Sequence, residues 1–261
     1  MAAETNLRPS CALVTGASYG IGRAVATALL RQDYSLVLCA RSEENLSSVR
    51  KELLAERAHG TVISVPTDIS VASSRDQLVS LISASFGYLT LVVHCASARP
   101  DPEADAKLAT TSMDTIEELV RTNVAGTFYL VKQLQGLLKA GQPSQLVLIS
   151  SDWALRGTHG PPIFSAAKAA IAHFAHAVRK EMANDGISVT TIYPGDVASF
   201  DKDWSAPKWG LDDSMVSVSA ELGNSRISLL DVAETVLFVA NRKLARVEEV
   251  ILAPLDAQYD Y

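Results

Sequence analysis

Two short stretches hold a cluster of side chains able to do chemistry. Ser150-Ser151-Asp152-Trp153 brings two hydroxyls, a carboxylate and an indole, and Ile163-Phe164-Ser165-Ala166-Ala167-Lys168 follows with a hydroxyl and an amine. Groups of these types hydrogen-bond a polarised substrate atom, balance charge on it and move protons. Phe164 stands between them, 13 residues after Ser151 and four before Lys168, with a ring that carries only carbon.

A third stretch lies near the N-terminus. The short apolar run Ala12-Leu13-Val14 leads into Thr15-Gly16-Ala17-Ser18-Tyr19-Gly20-Ile21-Gly22, and a helical pattern follows from Arg23 to Leu30. A glycine-rich turn between a strand and a helix sets backbone N–H groups and a helix N-terminus against a phosphate. Side chains at those glycines would block a pyrophosphate. The spacing alone is a weak signal; its place behind the first strand makes it a strong one.

The elements that must position these groups alternate from end to end. Strands are expected at Ser35–Cys39, Thr61–Val65, Leu91–His94, Gln145–Ile149, Ile187–Ile192 and Glu249–Leu252. Helices are expected over about Ser42–Arg57, Arg75–Phe86, Met113–Leu138 (two in succession), Phe164–Asn184 and Leu229–Val239. Such alternation gives an α/β protein, a parallel sheet with helices on both faces. No repeat or linker divides the chain, so residues 1–261 form a single doubly wound, Rossmann-type domain. With a net charge of −6 and no Lys/Arg run, no nucleic-acid partner is expected. Cys11, Cys39 and Cys95 lie in apolar runs expected as buried strands, outside any metal-ligand spacing. His173 and His176 lack nearby acidic ligands, so no metal is expected. No signal peptide and no apolar run of about 18 residues is visible, which points to a cytoplasmic protein with no membrane partner.

With these motifs in order, the chain resembles the short-chain dehydrogenase/reductase family. Thr15-Gly16-x-x-x-Gly20-x-Gly22 matches its cofactor turn, Thr67-Asp68-Ile69 its adenine contact, Thr122-Asn123-Val124 its helix-kink asparagine, and Pro194-Gly195-x-Val197-x-Ser199 its nicotinamide cradle. The resemblance implies cofactor contacts at Gly16, Ser18, Tyr19, Gly20, Ile21, Gly22, Asp68, Ala96, Asn123, Lys168, Pro194, Gly195, Val197 and Ser199. Cofactor type is read at the end of the second strand, where Leu38-Cys39-Ala40-Arg41-Ser42 offers no carboxylate before Glu43. Arg41 and Ser42 suit a ribose phosphate, which favours NADP(H) over NAD(H). One departure follows the fourth strand, where the family's Asn-Ala-Gly is replaced within His94-Cys95-Ala96-Ser97. Ser97 adds a side chain beside the cofactor path, and His94 is expected as a partly buried strand-end residue rather than an acid or base.

In the family mechanism a tyrosine protonates the carbonyl oxygen as hydride arrives, a lysine lowers its pKa and holds the ribose, and a serine orients the substrate. Ser151, Lys168 and Asn123 match the family's positions, and Phe164 occupies the tyrosine's. The function implied is NADP(H)-dependent hydride transfer to a C=O or C=N bond of a small, largely apolar molecule, such as a secondary metabolite. Four readings of Phe164 stay open. Phe replaces a natural Tyr to trap a complex; or the electrophile, an iminium ion, needs no proton and Asp152 balances its charge; or the fold performs non-redox isomerisation or cyclisation; or it is a silent cofactor-binding subunit.

Asp152 is also readable as a turn residue, and Trp153 as packing under the loop. Tyr193, just before Pro194, is a poor substitute acid, and His159, in a loop near the site, is readable as a surface residue or as a proton donor. The stretch from about 196 to 226, with Trp204 and Trp209, is readable as a lid over the substrate or as an ordinary ordered surface loop. The resemblance implies a homodimer or homotetramer built on the helices around Phe128–Leu138 and Phe164–Asn184. The C-terminal tail is readable as disordered, or as placing Tyr259 and Tyr261 over a neighbour's site.

Overall fold

A computed structural model of the chain describes residues 9–57, 60–101, 103–157, 161–198, 226–242 and 245–254. Ser199, His159, the two loop tryptophans and the C-terminal tyrosines therefore lie outside the described residues. Seven strands form one sheet: β1 (Cys11–Thr15), β2 (Ser35–Ala40), β3 (Val62–Pro66), β4 (Leu91–His94), β5 (Ser144–Ile149), β6 (Ile187–Pro194) and β7 (Glu249–Leu252). Their order is β3-β2-β1-β4-β5-β6-β7 and every pair is parallel. Around them lie α1 (Gly20–Arg31), α2 (Glu43–Glu56), α3 (Ala72–Ser85), α4 (Met113–Leu119), α5 (Thr127–Ala140), α6 (Trp153–Arg156), α7 (Pro162–Asn184) and α8 (Leu229–Ala240).

The strands are apolar on both faces because helices cover both. Along β1, Ala12 and Val14 join the cluster with Val25, Leu29, Leu46 and Val236, while Cys11 and Leu13 join the other with Leu78, Leu134 and Ile171. This period-two split places α1, α2 and α8 on one face and α3, α5 and α7 on the opposite one. The chain steps outward from β1 to β3, then returns to place β4 on β1's other side. Between β1 and β4 the connections diverge and leave a crevice at the strands' C-terminal ends, where such sheets bind ligands.

The expected doubly wound sheet is present, with three local differences. Between α4 and α5 runs a π-helical segment, Val120–Gly126, with Asn123 in it. Helix α6 interrupts the loop after Ser151, and α7 starts at Pro162, whose missing N–H costs nothing at a first helical turn. Cys95 falls just beyond β4 and is half-buried, whereas Cys11 and Cys39 are wholly buried; all three thiols are free. No helix among the described residues is long and apolar enough to cross a membrane.

Candidate active site

The glycine turn is built by close approach. Gly16 has φ +65°, and a Cβ there would lie 2.8 Å from the Ala96 backbone nitrogen. At Gly22 an added Cβ would meet the Gly16 carbonyl at 2.3 Å, so the turn folds onto the start of α1 with no room for side chains. Ser18 is buried, and its Oγ has no hydrogen-bond partner among the described residues. A buried hydroxyl without a partner is costly in water-excluded surroundings unless a ligand satisfies it. A glycine turn at a helix N-terminus with such a hydroxyl fits a pyrophosphate. Ile21 is half-buried at the turn, whereas Tyr19 is 48% exposed.

Across the switch point, Thr15 at the end of β1 is in register with His94 at the end of β4. Thr15 Oγ1 accepts the N–H groups of Cys95 and Ala96 at 3.1 and 3.0 Å, so its own proton goes to His94 Nδ1 at 2.9 Å. Thr127 Oγ1 donates to the Asn123 carbonyl at 2.7 Å and therefore accepts from His94 Nε2 at 2.9 Å. The imidazole is thus neutral with its proton on Nε2. It is 1% exposed, more buried than its strand-end position suggests, and burial, then the Lys168 charge, lowers its pKa to about 3. The Asn123 side chain clamps residue 98, accepting its N–H at 2.7 Å and donating to its carbonyl at 2.9 Å. Ser97 Oγ donates to the Ala98 carbonyl at 3.1 Å.

The reactive stretch follows β5. Ser151 Oγ donates to Asp152 Oδ1 and accepts the Trp153 N–H, both at 3.2 Å. Asp152 is 7% exposed, and its N–H donates to the Pro194 carbonyl at the end of β6 at 3.1 Å. Burial pushes its carboxyl above the usual carboxylate range, against the Ser151 hydroxyl, the Trp153 N–H and the Arg156 charge. Ser165 Oγ donates to the Trp153 carbonyl at 2.7 Å and pins α6 to α7. One turn of α7 further on, Lys168 is buried, with Nζ donating to the Ile149 carbonyl at 3.0 Å. Burial and then the Arg99 charge lower its pKa to about 8.

Phe164 packs with Ala98, Leu119, Trp153 and Ile163. Its ring is edge-on to Trp153 at 5.9 Å and lies 5.5 Å from Lys168 Nζ. The structure therefore brings Ser151, Asp152, Phe164 and Lys168 together. Tyr193 is not part of the group: its buried phenol donates to Glu249 at 2.6 Å, and burial raises its pKa.

At the far end of the crevice, Arg41 is exposed and pairs with Glu118 of α4 at 3.5 Å, while Ser42 Oγ caps α2 by accepting the Asn45 N–H at 3.2 Å. Asp68 accepts the Ser70 N–H and hydroxyl at 2.8 and 2.7 Å. Burial raises its pKa, but those bonds and the charges of Arg41 and Arg121 bring the net shift below the ordinary value. Gly195 donates to the Leu252 carbonyl at 2.8 Å, and Val197 bridges to Ile227, which fixes the chain leaving β6. No cluster of metal-ligating side chains occurs among the described residues.

Sequence reasoning missed the Thr15–His94–Thr127 chain and Arg99. The only signal was indirect: Thr15 and His94 each end a strand, but their pairing follows from register.

A parallel sheet with a phosphate cradle at its switch point defines a dinucleotide-binding α/β protein. The short chain dehydrogenase family model matches residues 10–205, and the chain belongs to that family. It is an oxidoreductase of a family that binds nicotinamide cofactors. An uncharacterized oxidoreductase of Staphylococcus aureus is 28% identical over 96% of this chain and 100% of its own length. The structure of an alcohol dehydrogenase from the archaeon Thermococcus sibiricus superposes with a TM-score of 0.78 at 25% identity, covering 97% of this chain and 99% of that one. A short chain oxidoreductase from Pseudomonas aeruginosa containing an atypical catalytic center shares the fold, with a TM-score of 0.81 at 18% identity over 96% and 98% of the two chains.

Proposed function

We propose that the chain is an NADP(H)-dependent oxidoreductase that delivers hydride to a C=O or C=N bond of a small, largely apolar substrate, at a site where Phe164 takes the place of a phenolic acid. The observation that carries this reading is a shared sheet edge. The Gly16–Gly22 turn, with its unpartnered Ser18 hydroxyl, and the Ser151–Lys168 group both stand at C-terminal strand ends. The phosphorylated cofactor is supported by Arg41 at the end of β2, by the Arg121 charge felt at Asp68, and by the 5-hydroxy-NADP complex of the Thermococcus enzyme.

When bound, the nicotinamide supplies a hydride equivalent. The turn's N–H groups and Ser18 would hold the pyrophosphate, Arg41 and Ser42 the ribose phosphate, and Lys168 the nicotinamide ribose. Asn123 keeps residue 98 beside Phe164, and Ser151 orients the substrate against the apolar wall of Phe164, Trp153 and Leu119. The chain assembles as a homodimer or homotetramer through α5 and α7, where Phe128 and Phe174 stack at 4.2 Å.

The test is NADPH absorbance against a panel of ketones and cyclic imines, with the chain as it is and with Phe164→Tyr. Oxidation with at least one substrate is expected. Silence in both forms across the panel overturns the reading.

A further inference from the structure

A serine hydroxyl has one proton and two lone pairs. On Ser151 the proton goes to Asp152 Oδ1 and one lone pair takes the Trp153 N–H. What remains for a substrate is the second lone pair. While Asp152 is ionised, Ser151 therefore faces the site as an acceptor. A ketone oxygen brings it no proton, but the N–H of a protonated imine does.

The arrangement is held in place from several sides. The Asp152 N–H is fixed on the Pro194 carbonyl, its carbonyl accepts the Leu155 N–H at 3.0 Å, and α7 holds α6 through Ser165. Phe164 has no proton to give, and the Tyr193 phenol is committed to Glu249. Among the described residues, a ketone reduced here would leave an alkoxide with no phenol beside it.

We infer that the substrate of this site is a protonated imine, its N–H donated to Ser151 Oγ and its positive charge balanced by the Asp152 carboxylate. This rests on the hydride-transfer reading above. The balance closes without a proton from the protein. The hydride electron pair forms the new C–H bond, the C=N π pair becomes the nitrogen lone pair, and nitrogen keeps its proton. The product is a neutral amine, and the reduced nicotinamide becomes oxidised. Asp152 acts through Ser151 and is a positioning residue.

The groups facing Asp152 set the pH dependence. Its own helix α6 offers Arg156 and the Trp153 N–H, and β6 offers the Pro194 carbonyl. From α7 the charged group at the site is Lys168, tied to the Ile149 carbonyl, with Arg99 acting on it. Turnover of an imine rises with pH as Asp152 ionises. It falls on the alkaline side, as the imine loses its proton and Lys168, with its pKa of about 8, loses its own.

The test compares methylpyrroline with cyclopentanone, following NADPH oxidation across pH in the full chain and in Asp152→Asn. Methylpyrroline should be reduced at least about tenfold faster than cyclopentanone. Asp152→Asn should lower its kcat/KM by about 10–100-fold, mainly through KM, as expected for losing a charged hydrogen-bond partner. The variant should also lose the acid limb of the profile and bind methylpyrrolidinium more weakly by calorimetry, with NADPH binding retained. Equal rates on the two probes, or an acid limb and imine kcat/KM that survive Asp152→Asn, overturn the inference and leave hydride transfer standing. No NADPH oxidation with either probe overturns both. Should the variant lose NADPH binding, the unmodified protein decides: a profile without an acid limb contradicts the assignment.

Discussion

Lys168 lies 5% exposed with its ammonium on one carbonyl, 3.0 Å away, and beside the Phe164 ring. Its pKa of about 8 stands below the unfolded value of 10.5, so between those values the unfolded chain binds more protons and stability rises with pH. At pH 7 the buried charge costs on the order of 3 kcal/mol. Lys168→Met should therefore stabilise the cofactor-free chain at pH 7, with the gain shrinking toward pH 10 in urea titrations. Phe164→Tyr places a phenol within the Ser151–Lys168 group. Ketone turnover should rise about 10²–10⁴-fold, and the ketone-to-imine ratio with it. Ser151, Phe164 and Lys168 were legible in the sequence because their spacing is fixed by one loop and one helix turn. The direction of the Ser151 proton was not, since it depends on the backbone of Trp153 and on how far Asp152 is buried.

At the scale of elements, the Thr15–His94–Thr127 chain ties β1, β4 and the start of α5 to the carbonyl of Asn123. His94, at about 3 against 6.5 unfolded, contributes stability that is present above pH 6.5 and lost as pH falls toward 3. The loss should reach on the order of 4 kcal/mol, and His94→Gln should flatten it in unfolding curves taken at pH 4 and pH 7. No local pattern reveals this chain, because its members meet only through the register of strands 79 residues apart. The glycine turn was legible, and its positions now differ in tolerance. Gly20→Ala meets nothing within 4 Å and pays only for φ +56°, about 1–2 kcal/mol, whereas Gly22→Ala clashes with backbone. Cofactor titration should show weakened binding in the first and none in the second.

For the whole molecule, alternating strands and helices were enough to give the sheet, and its two-faced burial explains why β1 reads as a continuous apolar run. The strand order places the Gly16–Gly22 turn, Asp68 and the Ser151 group along one edge of the sheet. At that edge Arg41 is shared with Glu118, so Arg41→Ala should weaken NADPH about 10–100-fold while sparing NADH, as read by fluorescence titration. The direct measurement of hydride transfer without a phenol is single-turnover NADPH oxidation by the unmodified chain, with methylpyrroline and cyclopentanone in parallel. Rapid oxidation with the imine and slow oxidation with the ketone is the expected result. Oxidation by neither, in a chain that demonstrably binds NADPH, contradicts it.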